Sequence, residues 1–307
     1  MQVYTNVDQL PEFKNAVLTI GTFDGVHLGH KKILDHLIAT AKECKGTPVL
    51  ITFYPHPKQV VKSGKNTVFM LCTQQEKYVL LEQYGIQHIV VVPFDEKFSS
   101  QSPEEYIQHF LVDQFHPHTI VIGYDHRFGK GRAGDFHLLE QKAAEANFRV
   151  KEIPEKLIQN VVISSTKIRD ALLDGDIDTA AEYLGYRYSF RGKVIEGNKL
   201  GRTIGYPTAN IELEDHHKLV PGNGVYVVEI KLDKRTLKGM MNIGMRPTVG
   251  GTKRVIEVHI FDFDEDIYHK TIRITLIKWL RPEQKFNGLD ELKVQLAKDE
   301  ALARKCD

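Results

Sequence analysis

The sequence predicts an α/β chain in two domains. A parallel sheet with alternating helices is expected over residues 1–185, and a mainly antiparallel β-barrel with a terminal helix over residues 186–307. Three observations predict this. Val17–Ile20, Val49–Phe53, Ile89–Val92 and Thr119–Ile122 are short, almost wholly apolar runs, as strands buried on both faces of a parallel sheet are. Longer stretches with helical periodicity separate them. After Leu184–Gly185 the pattern turns to short strands broken by glycine turns, at 189–196, 224–232, 236–243, 254–260 and 270–280, the grammar of a barrel.

The first domain opens with a short strand and a turn in residues 1–16. The strand Val17–Ile20 runs into Gly21, and a turn follows with Asp24 and Gly25. A helix over 29–43 carries the apolar stripe Ile33, Leu34, Leu37, Ile38 and Ala41. Its start holds His27 and His30. Unpaired N–H groups there favour an anion, and a phosphate chain is the expected ligand. The next strand ends in Tyr54–Pro55–His56–Pro57, where two prolines predict a rigid extended loop. Strand ends are where open α/β sheets place ligand groups, and His56 between prolines has no obvious structural purpose.

Thr73–Glu76 has capping-box spacing and starts a helix through Gln83. Ser102–Pro103–Glu104–Glu105 starts another, through about Gln114. The strand at Thr119–Ile122 delivers the loop Gly123–Asp135, with four glycines, Asp125, Arg127, Lys130 and Arg132. A solvated turn would account for it, but a basic loop at a strand end is better suited to closing over an anion. A helix over 136–147 and a strand over 148–153 follow. Val161–Arg169 then puts Ser164, Ser165 and Thr166 at a helix start, with Lys167 and Arg169 in its first turn. Cations normally favour the other helix end, so their placement suits a polyphosphate.

In the second domain the informative run is Gly197–Asn210. Its glycines let backbone N–H groups approach phosphates, beside Lys199 and Arg202. Thr208 and Asn210 lie two apart and face the same way in a strand. A hydroxyl and an amide oxygen are suitable Mg²⁺ ligands. There is no Walker A motif, and a structural bulge with a polar stripe would also fit these residues. In Ile256–Phe263, alternation puts Glu257, His259 and Phe261 on one face and Val258 and Ile260 on the other. A wholly buried unpaired Glu257 would be costly. The helix near 288–305 packs through Leu289, Leu292, Leu296 and Ala303.

Composition narrows the function. The chain has 307 residues, 42% hydrophobic and 26% charged, with a net charge of +1. That balance makes no bulk case for nucleic acid. No apolar run approaches the roughly 20 residues that span a bilayer. Three cysteines (Cys44, Cys72, Cys306) without paired spacing suit a reducing compartment. Met1 is followed by polar residues and no signal peptide is visible. A cytoplasmic protein acting on small molecules is expected, either monomeric or weakly self-associating.

The loop Gly21–Thr22–Phe23–Asp24–Gly25–Val26–His27–Leu28–Gly29–His30 resembles the HxGH signature of nucleotidyltransferases. With the Tyr54–Pro57 loop, the Gly123–Asp135 loop and Ser164–Arg169, it resembles the FAD synthetase module of prokaryotic bifunctional riboflavin kinase/FAD synthetases. Gly201–Asn210, Asn242–Thr248 and the Glu257–Phe263 run resemble the riboflavin kinase module of the same enzymes. The resemblance covers essentially the whole chain. It implies a nucleotidyltransferase-type parallel sheet followed by a riboflavin-kinase-type barrel, with ATP as co-substrate, Mg²⁺ as cofactor, and riboflavin, FMN and FAD as substrates and products.

At the first site the resemblance gives His27, His30 and Arg169 catalytic tasks. ATP or its phosphates would be bound by Gly21, Phe23, Asp24, Gly29, Ser165 and Thr166, and flavin by His56, Pro57, Asp125, Arg127 and Arg132. At the second site Glu257 would accept the proton of the riboflavin 5′-hydroxyl. Lys199, Gly201, Arg202, Gly205, Thr208 and Asn210 would bind ATP, with Thr208 and Asn210 on the metal. Asn242, Arg246 and Arg281 would bind flavin, and Phe286 would help to close the pocket. Two positions depart from the pattern: Thr22 stands where Asn is expected, and His126 where Phe is usual. The rival readings are a nucleotidyltransferase with another phosphate acceptor and a catalytically silent flavin- or nucleotide-binding regulator.

Overall fold

The computed structural model describes residues 1–61, 68–154, 163–197, 200–248 and 251–306. Lys199 and the Val161–Val162 part of the expected strand before Ser164 lie outside them. The chain divides into two compact units, Met1–Ser164 and Ser165–Asp307.

The first unit is built on six parallel strands: β1 (Gln2–Tyr4), β2 (Val17–Ile20), β3 (Pro48–Tyr54), β4 (His88–Pro93), β5 (Thr119–Gly123) and β6 (Arg149–Ile153), in the order β1-β4-β3-β2-β5-β6. Alternation along each strand feeds two cores, one on each face. Leu18, Ile20, Val49, Ile51, Ile120 and Ile122 belong to one. Val17, Leu50, Ile89 and Val121 join Leu34 and Leu37 of the Leu28–Glu43 helix in the other. This double coverage is why the strands read as continuous apolar runs. The strand order reverses between β2 and β5, which pair directly. The loops that leave these two strands part in opposite directions, and such a crevice is where doubly wound sheets bind ligands.

Local differences from the sequence reading have local causes. The loop after β3 does not stay extended: Pro57 begins a short helix, Pro57–Val61, as a proline at the first helical position can. The helix begun by the Ser102 capping box changes to π geometry over Tyr106–Val112 before Asp113–Phe115. Tyr106, Ile107, Phe110 and Leu111 are buried along it, a spacing that gives no warning of the wider turn.

In the second unit the Ser165–Leu173 helix packs against the Ile177–Leu184 helix, which packs on the last strand of the barrel. The barrel is closed, with strands β7 (Ser189–Ile195), β8 (Ala209–Leu213), β9 (Gly224–Leu232), β10 (Arg235–Thr248), β11 (Gly251–Ile260) and β12 (Thr271–Arg281) in the order β10-β11-β8-β7-β12-β9. Its neighbouring strands pair antiparallel. Strand β8 is absent from the expected set, because only Ile211 of Ala209–Leu213 is buried and the run has no apolar alternation to read. Phe190, Val194, Tyr226, Val228, Met241, Ile243, Val258 and Ile274 fill the barrel interior. A second cluster, Val227, Met240 and Phe261 with Ala303 and Leu296, lies outside it, under the Leu289–Ala303 helix. No helix among the described residues is long and apolar enough to cross a membrane.

Candidate functional sites

At the first site, β2 ends in a loop that turns sharply through Phe23, Gly25 and Val26, all with positive φ. Two valuable consequences follow for the loop's neighbours. Val26 and Phe23 are buried and pin the turn into the core. Asp24, 2% exposed, accepts from the backbone N–H groups of Leu71 (2.9 Å) and Cys72 (3.2 Å), and the Gly25 N–H donates to Cys72 Sγ at 3.0 Å. Its carboxylate is thus committed to backbone donors, and it shapes the loop.

His27 caps the Leu28–Glu43 helix, its Nδ1 accepting from the His30 N–H at 3.3 Å. The two imidazoles stack with centroids 3.7 Å apart and planes 17° apart, and the Phe23 ring lies 4.9 Å from His30. Gly29 makes room for this pair, since a Cβ there would sit 3.1 Å from the His27 ring. The His30 Nδ1 is buried with no hydrogen-bond partner. Burial, then the neighbouring His27 and Lys77, hold His30 well below the ordinary histidine range. At neutral pH it is a neutral imidazole able to donate or accept.

Lys77 was not foreseen. It lies on the Gln74–Gln83 helix, is 6% exposed, and its Nζ donates to the Thr22 carbonyl at 2.8 Å and to Thr52 Oγ1 at 3.4 Å. The lysine is unremarkable in sequence, because nothing in a capped polar helix marks which residue turns inward.

The loops after β3 and β5 complete the edge. His56 Nδ1 accepts from the Lys58 N–H at 3.1 Å, beside Pro57 at the start of its short helix. After β5, Asp125, Arg127 and Arg132 are exposed. Arg127 is paired with Asp135 at 2.8 Å, and Asp135 also caps the next helix at the Leu138 N–H. The loop closes on itself through a Phe128–Gly134 bridge, and Phe128 stacks on Tyr106 at 5.2 Å. His126 lies 5.9 Å from Phe128 with its Nε2 buried and unpartnered. Burial first, and Arg132 second, push its pKa down to about 4. Here the ring therefore acts as a neutral aromatic, filling the place where Phe was expected. Ser165, Thr166 and Arg169 stand in the first turns of the Ser165–Leu173 helix, within the second unit.

The second site is written in strand register. Asn210 on β8 faces Glu257 on β11, Glu257 faces Asn242 on β10, Asn242 faces Val225 on β9, and Val225 faces Arg281 on β12. Directly opposed residues share a sheet face, so one row across five strands carries Asn210, Glu257, Asn242 and Arg281. Their neighbours Met241, Val258 and Tyr226 point into the barrel, so the row lies on the outer face. A cavity of about 280 Å³ opens over Glu257, Asn242 and Arg281, lined also by Gly201, Thr208, Arg246, His259 and Phe286.

Several polar groups in that cavity are held by neighbours. Glu257 Oε1 accepts from Arg246 Nη2 at 2.9 Å. His259 Nδ1 is 2.7 Å from the Pro207 carbonyl, tying β11 to the run before Thr208. Gly201 is required by close approach, since a Cβ would meet the Tyr206 carbonyl, while one at Gly197 would press on the end of the Asn210 side chain. Gly205 has φ +85°, and Arg202 is exposed beside it on the Leu200–Thr203 helix. Arg281 is bound through Nε (3.0 Å) and Nη2 (2.7 Å) to Asp299 of the terminal helix, and its guanidinium carbon lies 5.8 Å from the centre of the Phe286 ring. Glu283, also unforeseen, accepts from the Met245 N–H at 3.2 Å and from Asn223 Nδ2 at 3.4 Å. It braces β10 beside Arg246.

Thr208 and Asn210 offer neutral oxygen donors, and no cluster of three or more His, Cys, Asp or Glu able to hold a metal exists among the described residues. The pair fits a hard cation that keeps most of its ligands from phosphates and water.

Comparison with known proteins agrees with both halves. A family model described as FAD synthetase matches residues 9–167, and one described as riboflavin kinase matches residues 184–306. A bifunctional riboflavin kinase/FMN adenylyltransferase of Escherichia coli K12 is 38% identical over 301 residues, covering 97% of this chain and 95% of that protein. The protein of the same description from Listeria monocytogenes is 37% identical, with coverages of 93% and 90%. A solved structure described as a macrolide-efflux protein from Streptococcus pneumoniae superposes with a TM-score of 0.89 at 30% identity, covering 100% of this chain and 99% of that one. With two family models in tandem, and relatives aligned nearly end to end at this identity, the chain belongs to the bifunctional riboflavin kinase/FMN adenylyltransferase family.

Proposed function

We propose that the two halves of this enzyme perform consecutive steps at the residues described above. On the barrel, riboflavin and ATP give FMN and ADP. At the parallel sheet, FMN and ATP give FAD and pyrophosphate. The observation that carries the reading is the Asn210–Glu257–Asn242–Arg281 row, of which Glu257, Asn242 and Arg281 line a cavity, in the same chain as the stacked His27–His30 pair at a helix start. A transferase with another acceptor has no use for the first, and a silent binding protein has no use for a carboxylate held by one arginine beside it.

In the kinase step the riboflavin 5′-hydroxyl oxygen attacks the γ-phosphorus of ATP, the bond to the β-phosphate oxygen breaks, and Glu257 takes the hydroxyl proton. Arg246 orients that carboxylate. Thr208 and Asn210 would hold Mg²⁺, which neutralises phosphate charge when bound. Backbone N–H groups near Gly201 and Gly205, with Lys199 and Arg202, bind the phosphates, while Asn242, Arg281 and Phe286 border the flavin.

In the adenylyl step an FMN phosphate oxygen attacks the α-phosphorus of ATP and pyrophosphate leaves. The nucleophile is already anionic, so no base is needed, and alignment with charge stabilisation is the whole task. His27 and His30 donate to ATP phosphates beside the backbone of Gly21–Gly29, with Phe23 and Asp24 fixing that loop. Ser165, Thr166 and Arg169 grip the phosphates. His56, Pro57, Asp125, Arg127 and Arg132 border the flavin nucleotide. Functionally we place the boundary between residues 185 and 186, so the Ser165–Leu173 helix serves the first reaction. The substrates are small molecules, and the place of action is the cytoplasm, with the protein monomeric or weakly self-associating.

Incubation of the protein with riboflavin and Mg·ATP, followed by chromatography, should give FMN and then FAD. Neither product would refute the reading; FMN alone would refute the adenylyl half.

A further inference from the structure

The structure assigns a role to Lys77 that the loop sequence does not hint at. We propose that Lys77 is a positioning residue for adenylyl transfer, whose buried ammonium fixes Thr22 of the Gly21–His30 loop and adds uncompensated positive charge to the ATP phosphate site. The inference rests on the adenylyl site proposed above.

Three observations carry it. The side chain comes from a different element, the Gln74–Gln83 helix, and reaches the loop between β2 and the histidine helix. Its Nζ is held by two neutral oxygens, the Thr22 carbonyl at 2.8 Å and Thr52 Oγ1 at 3.4 Å, and Thr52 Oγ1 itself donates to the Thr22 carbonyl at 3.2 Å. No carboxylate forms a salt bridge with it among the described residues, although Lys77 is only 6% exposed. Buried charges are ordinarily paired. The nearest carboxylate on the loop, Asp24, is taken up by the N–H groups of Leu71 and Cys72.

A purely structural tie between Thr22 and Thr52 needs a donor and no charge. A buried lysine with no salt bridge among the described residues is explained when the counter-charge arrives with the substrate. A triphosphate against His27 and His30 would supply it. Lys77 thereby adds to the field holding the His30 imidazole neutral in the free enzyme. Phosphate binding removes part of that field.

The test uses the full chain with Lys77→Gln, which keeps a donor and loses the charge, and Lys77→Arg, which keeps the charge. Steady-state FMN-to-FAD kinetics with varied ATP are read beside an NMR titration of the His30 imidazole. Expected is a KM for ATP raised at least tenfold by Lys77→Gln, restored to within threefold of wild type by Lys77→Arg, with His30 titrating higher in the Gln variant. A Gln variant with wild-type KM and wild-type His30 titration overturns the proposal. Should the Gln variant not fold, the Arg variant decides: a tenfold rise in KM with a native amide spectrum overturns it, and a near-native KM supports it. Wild-type protein that makes no FAD would refute the adenylyl reading alone, while the His30 titration would still report the Lys77 charge.

Discussion

Gly29→Ala separates the stability of the first unit from its chemistry. Gly29 is the second residue of the Leu28–Glu43 helix, so alanine there gains up to about 1 kcal/mol of helix propensity. Against this, the new Cβ would lie 3.1 Å from Cε1 and Nδ1 of His27 and 3.4 Å from the Ile163 carbonyl, and such neighbours must give by a few tenths of an ångström. The imidazole is the softer of the two, being a side chain facing a backbone oxygen. Yet it caps the helix through Nδ1 and stacks on His30 at 3.7 Å, so moving it disturbs both imidazoles proposed to meet the phosphates. The two stability terms oppose, and the net change should stay within about 1 kcal/mol. A misplacement of about 1 Å costs on the order of 100-fold in rate. A displacement of a few tenths should therefore cost about four- to tenfold, or ~0.8–1.4 kcal/mol in the barrier. FAD formation from FMN, urea unfolding and riboflavin phosphorylation measured on one preparation check all of this. FAD formation within twofold of wild type would refute the argument that Gly29 exists to seat His27.

Further predictions concern the barrel and the acid limb of stability. Glu257→Gln should lower FMN formation by about 10²- to 10⁴-fold, the range of a lost general base, and leave FMN-to-FAD conversion unchanged in separate assays. Asp299→Ala removes the partner of Arg281, whose side chain is 15% exposed, and takes the acceptor from Gln295. It should cost about 3 kcal/mol by denaturant unfolding and raise the KM for riboflavin, since Arg281 borders the cavity. His126 has an ordinary pKa of 6.5 when unfolded and about 4 when folded. The unfolded chain therefore takes up the proton first as pH falls, so this contribution is fully present above about 6.5 and is lost between about 6.5 and 4. His126→Phe should flatten that part of the unfolding profile, leaving the residual slope from His30 and His88, whose pKa values are also depressed. It should also stabilise the protein at pH 7 by about 1 kcal/mol, by removing an unpartnered buried nitrogen; an unchanged pH profile would count against the burial of that ring.

The parts of the fold that were legible in sequence are those governed by periodicity. Strands β2 to β5 carry apolar runs because both faces are covered, and Glu257 and Val258 were separable by simple alternation. The Asn210–Glu257–Asn242–Arg281 row was not legible as a row. Each residue was singled out, but only the pairing register brings four strands' side chains to one face. Register depends on partners distant in sequence. Strand β8 was hidden for a related reason: only Ile211 of its five residues is buried, so the apolar signal that announces a strand is missing.

Lys77, Glu283 and Asp299 were missed for a different physical reason. All three grip a backbone segment or another functional side chain: Lys77 the Thr22 carbonyl, Glu283 the Met245 N–H, and Asp299 the Arg281 guanidinium. None lies within a site loop singled out from the sequence. Asp24 shows the converse. It sits inside the most recognisable loop, yet its oxygens are spent on Leu71 and Cys72. Backbone N–H groups at 2.9–3.2 Å satisfy a carboxylate well, and an anion so placed would repel a phosphate close by. Its place in the motif is thus best explained by the shape it imposes: with Asp24 clamped, Phe23 and Val26 are held in the core at positive φ and His27 is delivered to the helix start. Motif residues therefore divide into those that meet the substrate and those that bend the chain, and hydrogen-bond partners separate the two where spacing cannot.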